Sequence, residues 1–336
     1  MRKASPFPSL STLCRRLVLC AALSGALVSA TVTRADTISM DPVVINVGKW
    51  AEGVVFDGDW LWVAESGQRT VARVDFGTGE VMERVKVGRL PTDMVSLGRN
   101  SVYALIATDR LVWQQDRNDR RKTLAKLGTE CPEGMVADWP NLFVLTMPDC
   151  SSDTSRIFKI DSRTGKQSKS AVLGEWSTDL TAFAGNVWVT HANQPALTIV
   201  DQSTLQAEIV DLPGAELWSI EVNRNSVFAA GRVDGSESDG LVLMLDHNSL
   251  AEQARASVPE LIQLMTMDDR HLIAVGEKGT IWVFSVTDLS LQREIRLNVG
   301  EYRASSVSLL DGLLLVSSSE HDGENGAVLV LDDWRP

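Results

Sequence analysis

Two tyrosines, four histidines and four cysteines are all that 336 residues hold of these types. Cys14 and Cys20 lie in the first 35 residues, so Cys131 and Cys150 are the only others. No CxxCH, HExxH, GxSxG or Walker-type segment occurs, and c-type haem attachment, common zinc chemistry, a hydrolase elbow and a nucleotide phosphate loop therefore lack their sequence signatures. Basic residues are scarce as well, with 32 Lys and Arg against 44 Asp and Glu. Phosphate neutralisation needs clustered cations, so a nucleic-acid surface is not expected. The one basic run, Arg117 to Lys122, reads as a solvated turn. Long apolar runs are missing too. The longest, Leu17 to Ala30, is too short and wrongly flanked to span a membrane.

What is there begins with that run. Arg2, Lys3, Arg15 and Arg16 precede it and Thr33-Arg34-Ala35 offers a small-x-small cleavage site, the layout of a secretory signal over residues 1–35. Leu19 is too bulky for a lipoprotein cleavage before Cys20, and the neighbours of Arg15-Arg16 do not support a twin-arginine signal. Residues 36–336 are then expected as one exported domain, periplasmic or secreted. Without the leader, 27 basic residues face 44 acidic ones, a net charge of −17, so a charged partner should be cationic. In an oxidising compartment Cys131 and Cys150 are the pair expected to form a disulfide.

The remaining residues repeat. An aspartate closes a short apolar run at Asp75, Asp116, Asp161, Asp201 and Asp246, at gaps of 41, 45, 40 and 45 residues, and again at Asp332. Between the last two, Ser285 takes the aspartate's place. A second marker, a large apolar residue in the second strand of each unit, falls at Trp62, Tyr103, Phe143, Trp188, Phe228, Ile273 and Leu315. Several short strands per repeat of about 40 residues predict a β-propeller. The fold expected is all-β, with seven four-stranded antiparallel blades whose strands run a to d from the channel outward. The last unit lacks an outer strand, while Val43 to Gly48 reads as a spare one. The N-terminal strand is therefore expected to close the last blade and hide the sheet edges.

The strand openings Ala51-Glu52-Gly53, Leu90-Pro91-Thr92-Asp93 and Cys131-Pro132-Glu133-Gly134, with the turn Asp75-Phe76-Gly77-Thr78-Gly79, resemble the exported seven-bladed propellers of the YVTN and virginiamycin-B-lyase-like superfamily. The resemblance covers residues 37–336 and specifies blades and turns. For lactonase-like members it implies a divalent metal held by a glutamate opening the first blade, here Glu52, although the asparagine and aspartate completing such a site have no convincing counterpart. For lyases it implies histidines near the channel acting as acid or base. His191 and His321 are placed by strand count in b–c loops, whereas His247 and His271 fall in turns on the opposite face.

Counting back nine or ten residues from the second marker gives one rim position per blade: Glu52, Asp93, Glu133, Asp179, Trp218, Leu264 and Ser305 or Ser306. Four converging carboxylates suit a hard cation such as Ca²⁺ or an amine ligand with Trp218 as its wall. The plainer alternative is a set of side chains in a water-filled channel, binding nothing specific. Three classes of function stay open. The first is a non-catalytic exported propeller that binds a periplasmic protein or a small cationic ligand at the channel mouth. The others are a metal-dependent lactonase or a lyase, and an accessory subunit of a periplasmic redox complex.

Overall fold

In the computed structural model, residues 36–98, 101–236, 238–299, 302–320 and 324–336 are described. The signal-peptide reading of residues 1–35 and His321 lie outside them. The strands form seven sheets, five of them built from four consecutive antiparallel strands and two completed by a strand from the N-terminal segment, so the molecule is a seven-bladed propeller. Blade one illustrates the unit: Ala51–Phe56 is strand a, Leu61–Glu65 strand b, Thr70–Val74 strand c and Val81–Lys86 strand d. The second-strand markers, from Trp62 through Leu315, are all buried. Each such burial contributes about 1.5–3 kcal/mol, which is why one large apolar residue recurs at this place in every blade.

The closing aspartates act locally. The carboxylate of Asp161 accepts the N–H groups of Arg163 and Thr164 and the Thr164 hydroxyl, and Asp201 does the same with Ser203 and Thr204. Asp246 repeats the motif with Asn248 and Ser249. Each side chain thus satisfies the c–d turn backbone that would otherwise lack partners. The turn needs a left-handed residue four positions on, met by Gly79 and Gly165 but also by Leu205, Leu250 and Leu289. The leucines offset the backbone cost by packing on the core, Leu289 being fully buried.

Ring closure occurs through the N-terminal segment. Val43–Val47 pairs antiparallel with the last strand, Gly326–Leu331, from Val43 opposite Val330 to Val47 opposite Gly326. Ile45 turns inward and is buried. One element goes beyond the expectation. Asp36–Met40 lies parallel to Leu291–Leu297, adding a fifth strand to blade six with Ile38 and Met40 packed on the core between blades six and seven. Cys131 and Cys150 are disulfide-bonded, their Cα atoms 5.1 Å apart. Cys131 opens the strand Cys131–Asp138, and Cys150 sits in the loop after Asn141–Met147. No helix among the described residues is long and apolar enough to cross a membrane.

Candidate functional site at the channel and its mouth

Every strand a carries a β-bulge near its start, at the end of the channel where strand a begins. A bulge adds one residue and re-aims its neighbours, so a single step in register separates two rings of side chains. The ladder resolves the expected rim positions into both. Val55, Val95, Val136, Thr181, Glu221, Thr266 and Ser308 stand opposite the second-strand markers. Glu52, Glu133, Trp218 and Ser305 precede that reference by three residues, whereas Asp93, Asp179, Leu264 and Ser306 precede it by two. Counting back nine or ten residues from the marker merged the rings: ten reaches the outer ring except in blade two, whose a–b turn is one residue longer, and nine reaches the inner ring at Asp179 and Leu264. The four carboxylates are therefore two pairs at different depths.

The deeper pair is engaged by protein. Asp93 accepts its neighbour Met94 N–H and, across the blade boundary, Met135 N–H, each at 2.7 Å. Asp179 accepts Leu180 N–H at 2.8 Å, Ser219 Oγ–H at 2.8 Å and Ile220 N–H at 3.0 Å. Ser219 Oγ in turn accepts Met265 N–H at 3.0 Å. These side chains staple strand a of one blade to strand a of the next, in place of the backbone bonds that separate sheets cannot make. Gly53 and Gly134 hold the same ring position in blades one and three, and a Cβ on Gly53 would lie 2.8 Å from Met94 N. Close backbone approach replaces the staple at Gly53, whereas at Gly134 a Cβ would meet the Leu180 side chain at 3.1 Å.

Below the staples a cavity of about 400 Å³ is lined by residues from all seven inner strands. Glu221 faces it, a carboxylate where the other blades carry Val, Thr or Ser. Burial pushes Glu221 up to about 8, with the nearby Asp179 charge adding to the effect. Burial likewise lifts Asp93 to about 7 and Asp179 to about 6 against the hydrogen bonds they accept. At the mouth, burial raises Glu52, with an opposing hydrogen bond from Ser305, and crowding by protein raises Glu133 although its side chain is exposed. Trp218 is half-buried, and its Nε1–H has no partner among the described residues. Among the described residues no group of three His, Cys, Asp or Glu side chains is placed to hold a metal ion.

His191 does not sit in a solvated loop. It ends strand b of blade four, Asn186–His191, and is fully buried. Nδ1 lies 3.0 Å from Ser177 Oγ and Nε2 lies 2.7 Å from Thr198 Oγ1. Burial takes its pKa down to about 4, so the ring is neutral and both nitrogens are occupied. Its partners come from the strands on either side of it within blade four.

Around the mouth lies a feature the sequence reading did not select. Trp50, Leu90 and Trp176 immediately precede strands a of blades one, two and four. They are 47%, 37% and 51% exposed and adopt left-handed backbone, with φ of 52°, 61° and 49°. Bulky residues rarely occupy that region, at a cost on the order of 1–3 kcal/mol each. Unlike the left-handed leucines of the c–d turns, these side chains gain little burial in return. A signal was present in the sequence as Gly48-Lys49-Trp50, Gly88-Arg89-Leu90 and Gly174-Glu175-Trp176, a glycine, a charged residue and a bulky apolar one before the strand.

No family model matches the chain, and no curated protein matches it. Among solved structures the chain is similar to a crystal structure of the computationally designed Ika8 protein, with a TM-score of 0.61 and 11% identity over 85% of this chain and 98% of that one. Likeness at this identity speaks to the fold alone.

Proposed function

We propose that this chain is an exported, non-catalytic propeller of the YVTN and virginiamycin-B-lyase-like kind, whose channel mouth binds a basic, partly apolar segment of a protein partner in the periplasm or outside the cell. The observation that carries the reading is the trio Trp50, Leu90 and Trp176, exposed at one place in the repeat and held there in a costly backbone conformation. Their carbonyls accept the N–H groups of Ser66, Ala107 and Ala192, which holds the backbone in place, yet Gly214 takes this position in blade five, and a bulky exposed side chain kept where glycine fits is a reason to look for function. Aromatic groups beside carboxylates attract cationic side chains through ring faces and charge together, and Glu52 and Glu133 supply the carboxylates at the same end of the channel. The acidic surface would speed the encounter with a basic partner. Asp93 and Asp179, the other acidic candidates, already serve as inter-blade acceptors, which favours a scaffold over a metal-dependent or acid–base enzyme. Export is supported by the leader-like residues and by a disulfide of the type that persists in oxidising compartments.

The test uses the mature chain and a synthetic peptide of alternating arginine and leucine, titrated by calorimetry. Replacing Trp50 and Trp176 together by serine should weaken binding more than about tenfold, while Trp139→Ser in the a–b turn at the opposite end should leave it unchanged. Equal affinity for the parent and the double variant would overturn the reading. Binding of a simple quaternary amine, but not the peptide, would replace the protein segment by a small cationic ligand.

A further inference from the structure

At the upper end of each blade, one residue of strand b faces the preceding blade from the same ladder position. Pairing with strand a identifies the set as Glu65, Ile106, Thr146, His191, Gly231, Gly276 and Ser318. In six blades this wedge is filled. Glu65 accepts Gly48 N–H at 2.7 Å, Thr70 Oγ1–H at 2.6 Å and Arg84 Nε–H at 3.1 Å. Ile106 fills its place with a fully buried side chain. Thr146 Oγ1–H donates to the Glu130 carboxylate at 3.3 Å, and His191 lies between Ser177 and Thr198. The two glycines give way to neighbours: a Cβ on Gly231 would collide with the Glu216 carbonyl, and one on Gly276 would lie 2.6 Å from the Glu260 carboxyl carbon.

The seventh wedge is different. Ser318 is 1% exposed, its Oγ has no hydrogen-bond partner among the described residues, and it pairs with Ala304, so two small residues meet where other blades are filled. A cavity of about 170 Å³ opens at this point between blades six and seven. Val275, Ile281, Leu297, Val316 and Leu329 form its apolar walls. Lys278 and Arg296 stand at its exposed lip with Tyr302, Arg296 being also paired to Glu294 at 2.9 Å.

We infer that this wedge is a binding site for a small amphipathic anion with an apolar body the size of one aromatic ring and a polar atom at its far end. The volume matches that of an apolar cavity of about 150 Å³ able to take benzene. An apolar body would replace water against the five aliphatic side chains, the buried Ser318 hydroxyl would gain the partner it lacks, and the anionic end would rest between Lys278 and Arg296. An unpaired buried hydroxyl costs about 1–3 kcal/mol, so a ligand able to pair with Ser318 gains over one that cannot. The site is independent of the channel mouth and of its proposed partner.

The probe is 4-hydroxybenzoate, titrated into the mature chain by calorimetry and by ligand-observed NMR, with benzoate and benzylamine alongside. We expect saturable binding of 4-hydroxybenzoate, about fivefold weaker binding of benzoate, and the weakest binding for benzylamine. Ser318→Ala should remove the preference for the hydroxylated probe, Lys278→Ala should weaken both carboxylates by a similar factor, and Ser318→Leu should fill the wedge and abolish binding while leaving the fold intact. The inference is overturned if no probe binds the parent at about 5 mM, if benzylamine binds best, or if Ser318→Leu binds as the parent does. Should the leucine variant fail to fold, the ranking of the three probes on the parent decides by itself.

Discussion

Glu221 gives the sharpest energetic consequence of the channel. Its ordinary value is 4.5, and burial with the Asp179 charge places it at about 8 in the folded chain. The sign follows from proton linkage: below the ordinary value both folded and unfolded chains keep the proton, and as pH rises toward about 8 only the unfolded chain releases it. Stability is therefore fully present in acid and is lost as pH rises through this window. Each tenfold difference in proton affinity is worth about 1.4 kcal/mol, so the ionised Glu221 costs roughly 3–5 kcal/mol once channel water relaxes around it. Glu221→Gln keeps the shape and removes the proton dependence. Urea unfolding should give nearly equal stabilities for parent and variant at about pH 4, and a variant more stable by roughly 3–5 kcal/mol at about pH 9. Asp93 and Asp179, at about 7 and about 6, act in the same direction. The turn aspartates act in the opposite one: Asp201, held at about 2 chiefly by the Ser203 hydroxyl and the Thr204 N–H, contributes stability above its ordinary value that is lost as pH falls through about 2. The parent should thus be most stable in mildly acidic solution. A variant whose stability differs from the parent by the same amount at every pH would refute the reasoning.

Three further outcomes are expected. Deleting residues 36–47 removes both N-terminal strands, exposes the edge of Gly326–Leu331 and loses about 2 kcal/mol from Ile45 burial alone, so calorimetry should show a markedly lower melting temperature; unchanged melting would contradict closure through this segment. Reducing Cys131–Cys150, which spans 19 residues, should cost on the order of 3 kcal/mol in denaturant unfolding, and no change would show that the unfolded chain gains nothing from release. After chelation, Ca²⁺, Mg²⁺, Mn²⁺ and Zn²⁺ should leave the melting temperature where it was, since Asp93 and Asp179 already accept backbone N–H groups; a Ca²⁺ shift that Glu52→Gln and Asp179→Asn both abolish would instead favour a metal-dependent propeller.

The architecture was legible because two periodic signals coincide, the turn aspartate and the large second-strand residue, each with a local physical role that repeats. Closure by Val43–Val47 was legible for the same reason, as a strand present at one end and missing at the other. The rim was not, because a carboxylate's place depends on one bulge and one turn length, and the longer turn of blade two shifted Asp93 by a ring. His191 misled because strand count put it just past a strand end, while Ser177 and Thr198 that bury it come from neighbouring strands of its blade. Glu221 was visible as an acid inside an otherwise apolar or small-residue column, a comparison that needs the register first. Asp36–Met40 was passed over because a parallel partner 257 residues away leaves no local turn signal.

The claim that the channel mouth is the working surface is tested most directly by hydrogen–deuterium exchange of the mature chain, with and without the arginine–leucine peptide. Added protection should fall on the d–a loops leading into Ala51, Pro91 and Ser177, at the end that carries Trp50, Leu90 and Trp176, and not on the a–b turns such as that between Asp138 and Asn141 at the other end. Protection confined to the a–b turns, or none at saturating peptide, would contradict the account.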